Sequence, residues 1–142
     1  MRRPRLSARL LTAAVVALAV AAVSVSGALA DTNTGTSDSG LTVTAALSPD
    51  TVSGHQQVTQ TATVENDGRS TVTVSLRVFS PKRPSTAPPQ AVFVTLAPGG
   101  SFSESAGYPA SDLSPGTHTL VAVAINRATR DSALASASIT VN

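Results

Sequence analysis

From Leu41 onward the chain alternates apolar and polar residues with a period of two. Leu41, Val43, Ala45 and Leu47 alternate with Thr and Ala until Ser48-Pro49-Asp50 interrupts the run. Val58, Gln60, Ala62 and Val64 share one parity and Gln57, Thr59, Thr61, Thr63 and Glu65 the other; Asn66-Asp67-Gly68 follows. Val72, Val74, Leu76 and Val78 then alternate with Thr71, Thr73, Ser75 and Arg77. Successive side chains of a strand point to opposite faces, so these runs predict strands with one apolar and one wet face. Asn and Gly tolerate positive φ, so the segment at 66–68 reads as a turn, and the two runs flanking it predict one hairpin.

The remaining pattern is also strand-like. Ser80 to Gln90 contains four prolines, which predicts an extended loop with little regular pairing. Val92, Val94 and Leu96 make a short strand closed by Pro98-Gly99-Gly100, and Ser101 to Ser105 reads as a further one. Gly107 to Gly116, with Pro109 and Pro115, reads as irregular. Thr117 to Ile125 is the most apolar stretch of this region, and Leu120 to Ile125 is apolar on both faces, which suits a central strand. After a break at Asn126 to Asp131, Ala133, Ala135, Ala137, Ile139 and Val141 alternate with smaller polar residues. The expectation is an all-β domain over 41–142, an immunoglobulin-like antiparallel β-sandwich of about seven strands, with a small barrel as the alternative.

The first forty residues have a different character. Met1 to Arg9 is basic, and Leu10 to Val25 is an apolar run broken only by Thr12 and Ser24. Ser26 and Gly27 loosen the helix, and Ala28-Leu29-Ala30 supplies the small-x-small pattern of a signal peptidase site. Residues 1–30 are therefore expected to be a signal peptide helix, cleaved after Ala30, with Ala28 and Ala30 as the cleavage-site residues. A spanning helix wants about 20 apolar residues, so the run is short for a retained membrane anchor. Arg2-Arg3 suggests a twin-arginine signal, but Pro4 and Arg5 do not continue that pattern, which favours the general secretory route. Asp31 to Gly40 has no apolar residue and is expected to be a flexible Thr/Ser/Gly tail. Because Asn142 closes the last strand, no C-terminal anchor or sorting signal is expected. The protein should be released or loosely wall-associated, touching the membrane only through its leader.

Charge changes the picture once the leader is set aside. Arg2, Arg3, Arg5 and Arg9 lie in the leader, while all eight acids lie at or after Asp31. The remaining 112 residues carry six basic and eight acidic side chains, a net charge of −2. The basic pI belongs to the targeting segment, and nucleic-acid binding loses its electrostatic footing. The chain has no cysteine, so the domain must fold on apolar burial alone.

Three segments resemble the CARDB-type and related immunoglobulin-like modules of bacterial surface and secreted proteins. They are Glu65-Asn66-Asp67-Gly68 at the end of an alternating strand, Leu96-Ala97-Pro98-Gly99-Gly100 before a strand, and Leu113-Ser114-Pro115-Gly116-Thr117 leading into the strand that ends at Ile125-Asn126. The resemblance covers Gln57 to Val141 and implies a non-catalytic spacer or adhesion element. His118, Thr119 and Leu120 stand where an aromatic often follows the Pro-Gly corner, and there is no Trp.

Candidate chemistry is sparse. His55 and His118 occur without an HxH, HExxH or carboxylate cluster, so no metal or other cofactor is expected. No Ser sits in a G-x-S-x-G elbow, and nothing marks a carboxylate pair or a phosphate-cradling loop. The sequence therefore does not read as an enzyme. Tyr108 and three Phe give little material for sugar-stacking platforms. Phe79 and Phe93 fall on the polar parity of their strands and flank the Pro-rich loop. Pointing outward, they would form a partner surface with Lys82 and Arg83; twisted at the strand ends, they would pack under the prolines. Ser85-Thr86-Ala87-Pro88-Pro89 has a composition compatible with O-glycosylation. The expected function is that of a secreted interaction or adhesion module for an unknown protein or cell-envelope component. A small carbohydrate-binding module, or a protease inhibitor presenting the 80–90 loop, are the alternatives.

Overall fold

A computed structural model describes residues 30–83 and 89–142. The leader expected over 1–29, including Ala28, and most of the Ser85–Pro89 stretch lie outside the described residues. Within them the chain is an all-β sandwich of nine strands. These are β1 Asp31–Thr36, β2 Leu41–Ser48, β3 Thr51–Val52, β4 Gln57–Asn66, β5 Val72–Phe79, β6 Val92–Leu96, β7 Ser101–Pro109, β8 Gly116–Asn126 and β9 Ser132–Val141, with one 3-10 turn at Ala110–Asp112. A four-stranded sheet has the order β1-β2-β4-β7, and a five-stranded sheet the order β3-β9-β8-β5-β6.

The alternating pattern positions the core as expected. Leu41, Val43, Ala45 and Leu47 of β2, with Val58, Ala62 and Val64 of β4, face Val74, Leu76, Leu120, Ala122, Ala124, Ala135, Ala137 and Ile139 of the other sheet. Across the core β2, with its Leu and Val, packs against β8 and β9, whose buried positions are rich in alanine. Each buried Val or Leu contributes roughly 1.5–3 kcal/mol. As its two-faced apolar run implied, β8 is central, pairing with β9 on one side and β5 on the other.

Four expectations are corrected. The runs at 57–65 and 71–78 do not form a hairpin. β4 pairs with β2 and β7, β5 with β6 and β8, and the 67–71 segment carries the chain from one sheet to the other. Each strand has one apolar face, and facing layers bury both faces, which lateral pairing alone would not do. Second, Asp31–Thr36 is no loose tail: it pairs along its whole length with Leu47–Thr42 as an edge strand. It buries no side chain, so apolar periodicity could not reveal it. Third, the sandwich is not wholly antiparallel, because the two-residue β3 runs parallel to the end of β9. Fourth, the strand beginning at Ser101 continues to Pro109, so the segment read as irregular begins in regular pairing with β4.

The seam between the sheets explains how a polar strand is held. Asn33 Nδ2 donates to Ser136 O at 2.8 Å, and Asp31 Oδ2 accepts from Ser138 N at 2.5 Å. Two residues beyond Asn33, Gly35 lies directly on β9: a Cβ there would stand 1.8 Å from Leu134 O. Glycine is required by this approach of one backbone to another.

Candidate functional site

The two outer faces of the sandwich are chemically unlike. That of the four-stranded sheet is a field of hydroxyls. Cross-strand register places Thr34, Thr44, Thr63 and Ser103 in one row and Thr61 beside Ser105 in the next. Their hydroxyls bond laterally: Thr34 to Thr44 at 3.1 Å, Thr63 to Ser103 at 2.7 Å and Thr61 to Ser105 at 3.2 Å. Such pairs suit a solvated β face and need no ligand.

The outer face of the five-stranded sheet carries an apolar band, with a Thr73–Thr95 hydroxyl pair at 3.2 Å beside it. Outward parity on β8 is occupied by Val121, Val123 and Ile125, all partly exposed. Register sets Val121 beside Phe79 and Val123 beside Leu134. Ile125 lies beside Ser75, whose other neighbour is Phe93. Phe79 is 42% exposed, Phe93 60% and Leu134 57%. These side chains share one face, with Arg77 among them.

Of the residues singled out from sequence, Phe79 and Phe93 both point outward, away from the core. They are separate, however. Phe93 is in register with Ser75, four residues before Phe79, which places them about 13 Å apart along β5. Lys82 is turned away to the edge between the sheets, where its Nζ lies 2.9 Å from Asp112 Oδ2 and 5.8 Å from the centre of the Tyr108 ring. Arg83 lines a small cavity of about 150 Å³ with Gln60, Val78, Ser80 and Glu104. The expected four-residue patch is thus divided between a face and an edge. Ala30 is exposed, directly before β1. His118 Nε2 lies 2.7 Å from Ser114 O, and among the described residues no group of three or more His, Cys, Asp or Glu could hold a metal.

Tyr108 sits at that same edge. Its hydroxyl is buried and finds no hydrogen-bond partner among the described residues, and its neighbour Ser80 donates to Gln60 Oε1 at 2.7 Å. Burial raises the phenol's pKa.

Sequence reasoning missed Arg127, Arg69 and the cleft between them. The β8–β9 turn and the 67–73 segment enclose an open cleft of about 680 Å³, lined by Arg69, Ser70, Thr71, Thr73, Arg127 and Thr129 among others. Each wall is pinned by a buried asparagine at the end of a strand. Asn66 Oδ1 accepts from Gly68 N at 3.0 Å, while its Nδ2 donates to Ser70 O at 2.8 Å and Leu96 O at 3.1 Å. Asn126 Oδ1 accepts from Ala128 N at 3.0 Å, and Arg127 N donates to Thr73 O at 3.0 Å. The guanidinium carbon of Arg127 lies 4.7 Å from the centre of the Phe93 ring, a cation–π stack joining the cleft to the apolar face. Arg130 closes the turn with φ 64°, a left-handed conformation unusual for a residue other than Gly, Asn or Asp.

No family model matches the chain, and no curated protein matches it. Among solved structures it is similar to a CARDB domain from Pyrococcus furiosus, described in complex with two metal ions, at 14% identity and a TM-score of 0.49 over 80% of this chain and 85% of that one. It is also similar to part of a β-glucosidase of Erythrobacter marinus, at 15% identity and a TM-score of 0.37. A third likeness is to part of a β-glucosidase of Listeria innocua, at 8% identity and a TM-score of 0.36. The chain spans only 15% and 16% of those two enzymes.

Proposed function

We propose that the protein is an exported, non-catalytic interaction module of immunoglobulin-like type that binds a protein partner through the outer face of its five-stranded sheet. The observation that carries this reading is the apolar surface formed by Phe79, Val121, Val123, Leu134, Ile125 and Phe93 where the opposite sheet shows Thr and Ser. Aromatic and aliphatic area left in water on one face, with Arg77 and Arg127 beside it, has the composition of a protein interface. The leader pattern at 1–30 supports export, and the likeness to a CARDB domain is in keeping with a binding role. A polysaccharide platform is less well served: the two exposed rings are separated, and neither is Trp or Tyr.

The test is retention on immobilised proteins of the producing cell's envelope and culture medium, compared with depletion by insoluble cellulose, chitin and peptidoglycan. Binding to a protein that is lost in Leu134→Glu and kept in Thr61→Glu is expected. Depletion by one of the polymers, reversed by its soluble oligosaccharide, would make this a carbohydrate module and refute the reading.

A further inference from the structure

We infer that the cleft between the 67–73 segment and the β8–β9 turn is a carboxylate-binding site, one that takes an acidic side chain or chain terminus of a protein ligand. The inference rests on the cleft's own chemistry and deepens the proposed partner-binding role. Arg69 and Arg127 both line the cleft, and among the described residues neither has a carboxylate within ion-pair distance. The nearby Asp131 is occupied elsewhere, its Oδ2 accepting from Ser39 N at 2.7 Å, and Asp67 accepts from the Thr42 hydroxyl. Two arginines therefore line a concave, hydroxyl-rich surface without an ion-paired carboxylate among the described residues.

Arg127 is also prepared for this role. Its guanidinium carbon lies 4.7 Å from the centre of the Phe93 ring, and a guanidinium held by an aromatic ring still has N–H donors to offer a planar acceptor. Its own N–H is fixed to Thr73 O, and the side chain of Asn126 holds the turn that carries it. Both walls are thus set before a ligand arrives, which reduces the ordering cost of binding. A protein is favoured over an acidic sugar because none of the residues lining the cleft is aromatic, so nothing there stacks on a pyranose ring. Arg127 of the cleft is also in contact with Phe93, which shares Ser75 as a neighbour with Ile125 on the apolar face, and this suits a carboxylate with apolar groups next to it.

The test uses ¹⁵N-labelled protein purified from expression of the full chain, titrated with two capped peptides. One carries a glutamate between leucines and the other a glutamine in its place. The glutamate peptide should bind at least about tenfold more tightly, with shifts centred on the amides of 69–73 and 126–129. Arg127→Ala and Arg69→Ala should each remove most of that preference. Arg127→Lys should lose most of it too, because a point charge replaces the fork, and Thr44→Ala, on the outer face of the opposite sheet, should keep it. Unchanged amide dispersion in each variant confirms that it is folded. Equal affinity for the two peptides, or a preference that survives both alanine substitutions, would overturn the proposal. Binding of an oligogalacturonate at the same amides, without the glutamate peptide, would overturn the assignment to a protein ligand. Leu134→Glu separates this site from the broader reading: a glutamate preference that persists in that variant supports the cleft even where the apolar face proves to have no partner.

Discussion

The two sheets share one core and end in the same device, yet they meet water differently. Each contributes a strand that closes on a buried asparagine, Asn66 in the four-stranded sheet and Asn126 in the five-stranded one, and each side-chain oxygen accepts from the N–H two residues on. Outside, one sheet shows mainly Thr and Ser bonded to one another; the other adds to one such pair, Thr73 and Thr95, a band of Val, Ile, Leu and Phe. Stability alone asks for the first kind of face, since polar alternation on an exposed sheet keeps a strand soluble and in register. The second kind leaves apolar area in water and invites association, and its presence on only one side is what the proposed binding surface rests on.

The asparagines provide the sharpest way to break the symmetry inside the comparison. Asn66 is fully buried with three hydrogen bonds, so Asn66→Ala strands two carbonyls and an N–H and should cost about 3 kcal/mol, lowering Tm by roughly 12 °C or more. Asn126 bonds mainly to its own turn, and Asn126→Ala should cost about half as much. Thermal unfolding followed by circular dichroism measures both, and equal losses would show that the two ends are not held as described.

The seam between the sheets gives a smaller, more local effect. Gly35→Val forces a side chain into Leu134 O, so β1 should lift from β9 at a cost of about 2 kcal/mol. Hydrogen exchange should then speed up in Asp31–Thr36 while β8 keeps its protection. Uniform loosening of both sheets would mean that β1 is integral to the core.

The weakest effect is pH-dependent. Hydrogen bonds from Ser39, through its hydroxyl and its N–H, together with the Ser37 hydroxyl, hold the Asp131 carboxyl below the usual carboxylate range. A lowered folded pKa adds stability that is fully present above the unfolded value of about 3.9 and is lost as pH falls through the folded value. The β1–β2 turn should loosen in that acidic window in the wild type. In Asp131→Asn the same turn should show no such step, and amide shifts of 37–41 would follow both.

How much of this was legible in the sequence follows from what each residue buries. The period-two runs located β2, β4, β5, β6, β8 and β9, because half their side chains enter the core. β1 was illegible for the opposite reason: Asp31–Thr36 buries nothing and is held by hydrogen bonds to Leu47–Thr42 and to Ser136 and Ser138. Nor could periodicity say that β4 and β5 belong to different sheets, since a hairpin and a sheet-to-sheet corner show the same alternation. For the site, Phe79 and Phe93 stood out by parity, but Lys82 was grouped with them only by nearness in sequence, and its ion pair to Asp112 separates them. The better signal was already in Leu120 to Ile125. A strand apolar on both faces, in a sandwich with one core, leaves Val121, Val123 and Ile125 outside. Arg127 carries no such signature, because its stack on Phe93 and its place in the cleft exist only after β6 and β8 have been brought to either side of β5.

The most direct measurement is site-specific photo-crosslinking in the producing cell, with the reactive side chain placed at Leu134 or Phe93 on one face and at Thr44 or Thr61 on the other. One discrete protein adduct at Leu134 and Phe93, absent from both threonine positions, is the expected result. Equal adducts from the two faces, or adducts from the threonine face alone, would contradict the assignment of the five-stranded sheet as the surface that binds.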